Sequence, residues 1–326
     1  MTTTLVLIDD PDQLRSPVAE ALTVARGLGD PVALCLGAPS AQVLTDLGNY
    51  GVSQVLSAEL TTQQRHSSGA AGQVLATAIA QLQPLAALLT SSFSNKEVAA
   101  RAAWASGSGL LIDVSTLEVA EGRVVGGKRA FAGTWESTCA VHTDTAVLTL
   151  GPNAVLAEPA AEAAGAQVES IAVDLTGVPS VNVTSREVRA AQVDALGGDR
   201  PALAEAAVVV AGGRGTMGDF TPVEELADEL GAAIGTTRDC VDEGWMGHDA
   251  QIGQTGVTIA PRLYIGAGIS GAPHHYGGMQ AADTVIAVNL DADAPLAEVA
   301  DVVVVGDLHE ILPAAAEALR AHREQH

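Results

Sequence analysis

The chain has 326 residues, of which 48% are hydrophobic, enough for two domains of ordinary size with a core in each. Its 39 acidic residues outnumber 16 basic ones, for a formal net charge of −23. A surface of that sign repels phosphate backbones and anionic lipid, which argues against nucleic-acid binding.

The N-terminus, MTTTLVLIDDPDQ, has no basic segment and turns acidic at once, so it reads as a strand rather than a signal peptide. Leu5–Ile8 is the first apolar run, and a helix follows over Pro17–Gly27. Further runs are Val32–Leu36, Val55–Leu56 and Leu85–Leu89. Continuous rather than alternating apolar runs fit strands buried on both faces of a parallel sheet. None approaches the ~20 residues of a membrane-spanning helix. Cys35, Cys139 and Cys240 are far apart with no CxxC pair, so they suit small buried residues in a reducing, cytoplasmic protein better than zinc ligands.

Ser94-Asn95-Lys96-Glu97 reads as a capping box ahead of an alanine-rich helix that ends near Gly107. From Leu111 to Leu150 the pattern becomes turn-rich. Gly122–Gly127, Phe131–Val141 and Ala146–Leu150 predict an antiparallel annex to the first sheet. Gly197-Gly198-Asp199-Arg200-Pro201 is a linker signal, which divides the chain into residues 1–195 and 196–326. In the second part, strands are predicted at Ala207–Gly213, Ala233–Arg238, Leu263–Ala267, Thr284–Leu290 and Val302–Gly306. Helices are predicted at Pro222–Leu230, capped by Thr221, and at Leu308–Arg320. The fold class is therefore α/β, with two domains that are each a largely parallel sheet flanked by helices, the second doubly wound.

Polar and glycine residues of the second part gather just after its strands, where open parallel sheets bind ligands. Gly213-x-Gly215-x-x-Gly218 matches a dinucleotide fingerprint, which admits an NAD-dependent dehydrogenase as one reading. It lacks the acidic residue on a following strand that would hold the ribose, and its helix starts late, at Pro222. Gly266–His275 is a strand running into a glycine-rich loop and a helix near Pro273, a place suited to a pyrophosphate. Adjacent His274 and His275 diverge by ~100° on a helix, so they suit a shared metal poorly. No nucleophile, base and acid stand in a defensible order, and the sequence supplies no catalytic set. A nucleotide-binding module without redox activity is the third reading.

Taken in series, VVVAGGRG (208–215), IGTTR (234–238), VDEGW (241–245), QIGQTG (251–256), APRLY (260–264), GISGA (268–272), His275, Met279, Val288-Asn289 and Gly306-Asp307-Leu308 resemble the C-terminal domain of electron-transfer flavoprotein α subunits. The first domain resembles that family more loosely, through its layout and Phe131-Ala132-Gly133. The resemblance implies a Rossmann-like FAD-binding domain at 196–326. It implies a cofactor-free first domain that contacts a β subunit, itself AMP- or FAD-binding. The heterodimer would carry electrons from acyl-CoA-type dehydrogenases, as in fatty acid β-oxidation, to a downstream acceptor.

Position by position, Arg238 resembles the arginine over the isoalloxazine, where a fixed positive charge favours the reduced ring. Thr255 resembles the hydroxyl at flavin N5, and His275 the donor at the N1–C2=O edge. Ile252, Gly253, Gln254 and Thr255, with Ser270, Gly271, Ala272, Pro273, His274 and His275, resemble the loops along the ribityl and pyrophosphate. Arg214, Thr237, Asn289, Asp307 and Leu308 resemble the remaining contacts. Four positions depart from the family pattern. Pro273-His274 stands for an aliphatic residue and glutamine, Leu290 for lysine, and Thr237 for serine.

Overall fold

The computed structural model describes residues 2–130, 135–185 and 200–325. The chain falls into two compact units. The predicted boundary between 195 and 196 lies outside the described residues, as does Phe131-Ala132-Gly133.

In the first unit, strands and helices alternate as β1 (Thr3–Ile8), α1 (Ser16–Leu28), β2 (Asp30–Cys35), α2 (Ala41–Asn49), β3 (Gln54–Ser57), α3 (Thr62–Arg65), α4 (Ser68–Leu82), β4 (Ala86–Thr90) and α5 (Phe93–Ser106). β5 (Gly109–Val114), β6 (Thr116–Ala120), β7 (Arg123–Ala130), β8 (Trp135–Ala140), β9 (Ala146–Leu150) and β10 (Gln167–Ser170) follow. Seven strands form one parallel sheet in the order β10-β3-β2-β1-β4-β9-β5. The alternation of side chains along β1 supplies both faces. Leu5 and Leu7 pack with α4 and α5, while Val6 and Ile8 pack with α1 and α2.

The annex is smaller than predicted. Among the described residues only β6, β7 and β8 are antiparallel, with β6 and β7 joined through Glu121-Gly122, both at positive φ as a two-residue hairpin turn requires. Ala146–Leu150 belongs instead to the main sheet, between β4 and β5. All five of its residues are buried, and an annex strand with one solvated face could not hold them. The α5 cap is Ser92, whose hydroxyl accepts the Asn95 N–H at 3.2 Å. Glu97 pairs with Arg101 rather than reaching back, so the expected capping box from Ser94 does not form. Gly107, at φ 67°, ends the helix as predicted.

The second unit runs β11 (Val208–Gly212), α6 (Thr221–Leu230), β12 (Ala233–Thr236), α7 (Arg238–Asp242), β13 (Leu263–Ala267), α8 (Pro273–Met279), β14 (Thr284–Asn289), α9 (Pro295–Glu298), β15 (Val302–Val305) and α10 (Leu308–Glu324). Its sheet is parallel throughout, in the order β12-β11-β13-β14-β15. α6 and α10 cover one face. α8, α9 and the segment carrying Ile252 and Ile259 cover the other.

Two local expectations change. Thr221 is the first residue of α6 rather than its cap, and the Asp219 carboxylate receives its N–H at 3.0 Å. The strand predicted to reach Arg238 ends at Thr236, and Arg238 opens α7. Among the described residues, no helix is long and apolar enough to cross a membrane.

Candidate functional site: a crevice along the second sheet

Strand order in the second unit reverses at β11. The chain steps to β12 on one side and returns to β13 on the other. The helices that follow β11 and β13, α6 and α8, therefore pack on opposite faces of the sheet, and such a switch point is where an open α/β sheet offers a ligand crevice. A crevice of about 430 Å³ lies there.

Four strand ends furnish its walls. Arg214 and Gly215 follow β11, and Thr237, Arg238 and Asp239 follow β12. Gly268 to Ala272 follow β13, and Asn289 ends β14. The 251–255 segment closes one side, held to β12 by a bridge from Gln251 to Thr236. His274 and His275 enter from α8.

Twelve of the sixteen candidate residues thus meet in one place: all except Gln254, Pro273, Asp307 and Leu308. The Gln254 N–H is donated to the His274 carbonyl at 3.0 Å, and its side chain lies against Gly277. Pro273 occupies the first turn of α8, where its missing N–H leaves no helical bond unmade. Asp307 caps α10 by accepting the His309 N–H at 2.9 Å. With Leu308 it lines a smaller hollow that shares Gly215, Gly268 and Asn289 with the main crevice.

Asp239, Asp291, Ala294 and Pro295 line the crevice without having been predicted. Asp291 sits two residues past Asn289, whose side chain braces the turn. Asn289 Oδ1 accepts the Asp291 N–H at 3.2 Å, and Nδ2 donates to the Ile269 carbonyl at 3.0 Å. That Asn-x-Asp spacing was the available signal.

The glycine fingerprint has a packing cause. A Cβ at Gly213 would stand 2.4 Å from the Gly268 carbonyl oxygen, and one at Gly215 would stand 2.6 Å from Gly268 Cα. The loops after β11 and β13 touch backbone to backbone, and only glycine permits it. Gly218 turns at φ 88° against the Trp245 ring, and α6 begins three residues later. These contacts account for all three glycines without a bound NAD.

Charge in the crevice is held loosely. Arg214 pairs with Asp239 at 3.1 Å and Arg238 with Asp242 at 3.3 Å, and both guanidinium side chains are more than two-thirds exposed. Exposed pairs of this kind contribute little, so either arginine can turn to an anionic ligand at small cost. Thr255 Oγ1 accepts from the Gln251 side-chain amide at 3.0 Å, which fixes the hydroxyl oxygen against the 251–255 turn.

His275 is the most constrained member. It is 6% exposed, with Nδ1 3.2 Å from the Ile252 carbonyl and Nε2 2.7 Å from the Tyr264 hydroxyl. Burial drives its pKa down to about 4, against a smaller opposing effect of the Ile252 bond. A neutral ring carries one hydrogen, and a carbonyl can only accept, so that hydrogen is on Nδ1 and the tyrosine donates to Nε2. The resemblance gave His275 the role of a donor to the flavin edge. In this structure its single N–H is donated to Ile252 instead.

Residues 4–176 match the family model described as the electron transfer flavoprotein domain, and residues 202–280 match the electron transfer flavoprotein FAD-binding domain. The chain is 41% identical over 329 residues to the electron transfer flavoprotein subunit alpha of Mycobacterium leprae, covering 99% of this chain and all of that protein. The chain belongs to the electron transfer flavoprotein alpha-subunit family. Further relatives include the Bacillus subtilis subunit alpha, 31% identical over 315 residues with 94% of each chain covered. The mitochondrial subunit alpha of Dictyostelium discoideum is 48% identical over 124 residues, covering 37% of this chain and 35% of that protein. Membership makes this a redox carrier with FAD as its cofactor rather than a substrate-converting enzyme. The dehydrogenase reading is not supported.

Proposed function

We propose that FAD lies along the crevice above β11 and β13, and that the chain works as one half of a cytoplasmic heterodimer with an electron transfer flavoprotein β subunit that itself holds AMP or FAD. The single observation that carries this reading is the convergence of twelve candidate residues on one crevice at the point where strand order reverses. The donor set suits the cofactor. Two loosely paired arginines suit a dianionic pyrophosphate and an electron-rich ring. The hydroxyls of Thr237, Thr255 and Ser270 suit the ribityl chain and ring nitrogens. FAD supplies the one-electron chemistry, and the chain supplies position and charge.

In this reading Arg214 serves the phosphates, Arg238 the isoalloxazine, and Thr255 the ring edge at N5. Asn289, Asp307 and Leu308 line the adenosine end, where their hollow continues the crevice. The first unit has the cofactor-free, partner-facing role. Electrons come from acyl-CoA-type dehydrogenases of fatty acid β-oxidation and leave to a separate acceptor.

The phosphate assignment is tested by titrating FAD into the deflavinated heterodimer. Arg214→Ala removes a charge-assisted bond and should weaken FAD roughly 10-fold. Affinity equal to the wild type would move the pyrophosphate elsewhere.

A further inference from the structure

His275 meets the crevice from α8, but what fixes its ring lies behind it, on β13. Tyr264 is fully buried in the core of the second unit. Its ring has room because residue 266, on the same face of the strand, is glycine. A Cβ there would fall 2.8 Å from Tyr264 Cε1. The phenol reaches His275 Nε2 at 2.7 Å, with the two rings 6.1 Å apart and tilted by 53°. The opposite ring nitrogen faces the Ile252 carbonyl.

Ile252 begins the segment that presents Thr255 to the crevice, and that segment is stitched to α8 on either side of the histidine. Gln254 N–H donates to the His274 carbonyl at 3.0 Å, and Ile259 N–H donates to the Gly278 carbonyl at 2.8 Å. Gly253 and Gly278 pack so closely that a Cβ on the latter would stand 2.4 Å from the Gly253 nitrogen. Three elements therefore meet at one imidazole.

We propose that Tyr264 is a positioning residue for the cofactor. By donating its hydroxyl hydrogen to Nε2 it holds His275 as the Nδ1–H tautomer, and through the His275–Ile252 bond it sets the height of the segment that carries Thr255. The proposal rests on the reading that FAD occupies this crevice. The alternative hydrogen pattern, with the tyrosine accepting, needs an imidazolium that donates from both nitrogens. Among the described residues no anionic side chain bonds the ring: its two partners there are the Tyr264 hydroxyl and the Ile252 carbonyl. The other titratable or charged groups of the crevice are His274 on α8 itself and, along the other walls, Arg214, Arg238, Asp239 and Asp291. A phenol donor also has a functional consequence. His275 keeps one hydrogen and no charge through the neutral range, so the positive charge offered to the ring system comes from arginine alone.

The test uses the FAD-loaded heterodimer labelled with ¹⁵N-histidine, the His275 signals being assigned by their loss in His275→Gln. In the wild type, Nδ1 should carry the hydrogen and Nε2 should be unprotonated, with no change between about pH 5 and 8, where a free imidazole titrates. Tyr264→Phe should mix the tautomers or make the ring titrate in that range, and should weaken FAD several-fold. A wild-type ring protonated on Nε2, or titrating in that range, would overturn the proposal even if Tyr264→Phe failed to fold. An unchanged tautomer in Tyr264→Phe would overturn the role of the hydroxyl. A changed tautomer with unchanged FAD affinity would overturn the link to Thr255. The ring signals can be read in the deflavinated protein as well, so misplacement of FAD is distinguishable from failure of the tautomer assignment.

Discussion

Gly271→Ala should destabilise the second unit by about 3 kcal/mol and strip most of its FAD. Two causes add. The residue turns at φ 87°, which an alanine adopts only with strain. Its Cβ would also lie 2.5 Å from the Leu296 nitrogen and 2.8 Å from Leu296 Cα, both backbone atoms that cannot swing aside. The same Leu296 N–H donates to the Ser270 carbonyl at 3.0 Å, so relief of the clash would break the bond joining the β13 loop to α9. Gly231→Ala separates the two costs. That glycine also has positive φ, at 60°, but a Cβ there meets nothing within 4 Å. It should cost only about 1 kcal/mol. Thermal unfolding would show the difference, with Gly271→Ala lowering the midpoint by roughly 10 °C and the control by a fraction of that. Equal shifts would mean that the contact with Leu296 is not rigid.

Arg238→Ala should lower the flavin midpoint potential by tens of millivolts, because it removes the charge that favours the electron-rich ring. Its side chain is 69% exposed and pairs with Asp242, one helical turn on, at 3.3 Å. An exposed i,i+4 pair of this kind contributes a few tenths of a kcal/mol, so the fold should be nearly unaffected while the potential moves. Arg238→Lys should keep part of the potential, since charge remains while the planar stacking surface is lost. Spectroelectrochemical titration of the three proteins checks the order. Identical potentials would place Arg238 away from the ring.

The strands of the second unit were legible because they are short apolar runs stopped by glycine or by a polar residue. Leu263–Ala267 was placed with both ends correct. Arg238 was misplaced by local structure, though not by location. The strand stops two residues earlier, and a five-residue helix with no periodicity to read begins there. Ala146–Leu150 went to the wrong sheet because a buried five-residue run looks the same in any sheet, and its place is decided by distant pairing, with β4 on one side and β5 on the other. β10 carried no signal, since all four of its residues are exposed.

At the site, the motifs located the walls but not their internal bonds. Nothing local to Tyr264 announces that its hydroxyl fixes a histidine eleven residues on. The glycines at 213 and 215 suggested a nucleotide fingerprint because a close approach between two loops demands the same residue as a close approach to phosphate.

FAD binding in the crevice is tested most directly by an absorbance spectrum of the chain co-expressed with its β partner, recorded through stepwise dithionite reduction with FAD supplied. The expected result is a flavin spectrum that bleaches reversibly, with the flavin retained by the heterodimer and lost when Gly271→Ala disrupts the β13 loop. A colourless heterodimer, or flavin fully retained in Gly271→Ala, would contradict the placement of FAD in the crevice above β11 and β13.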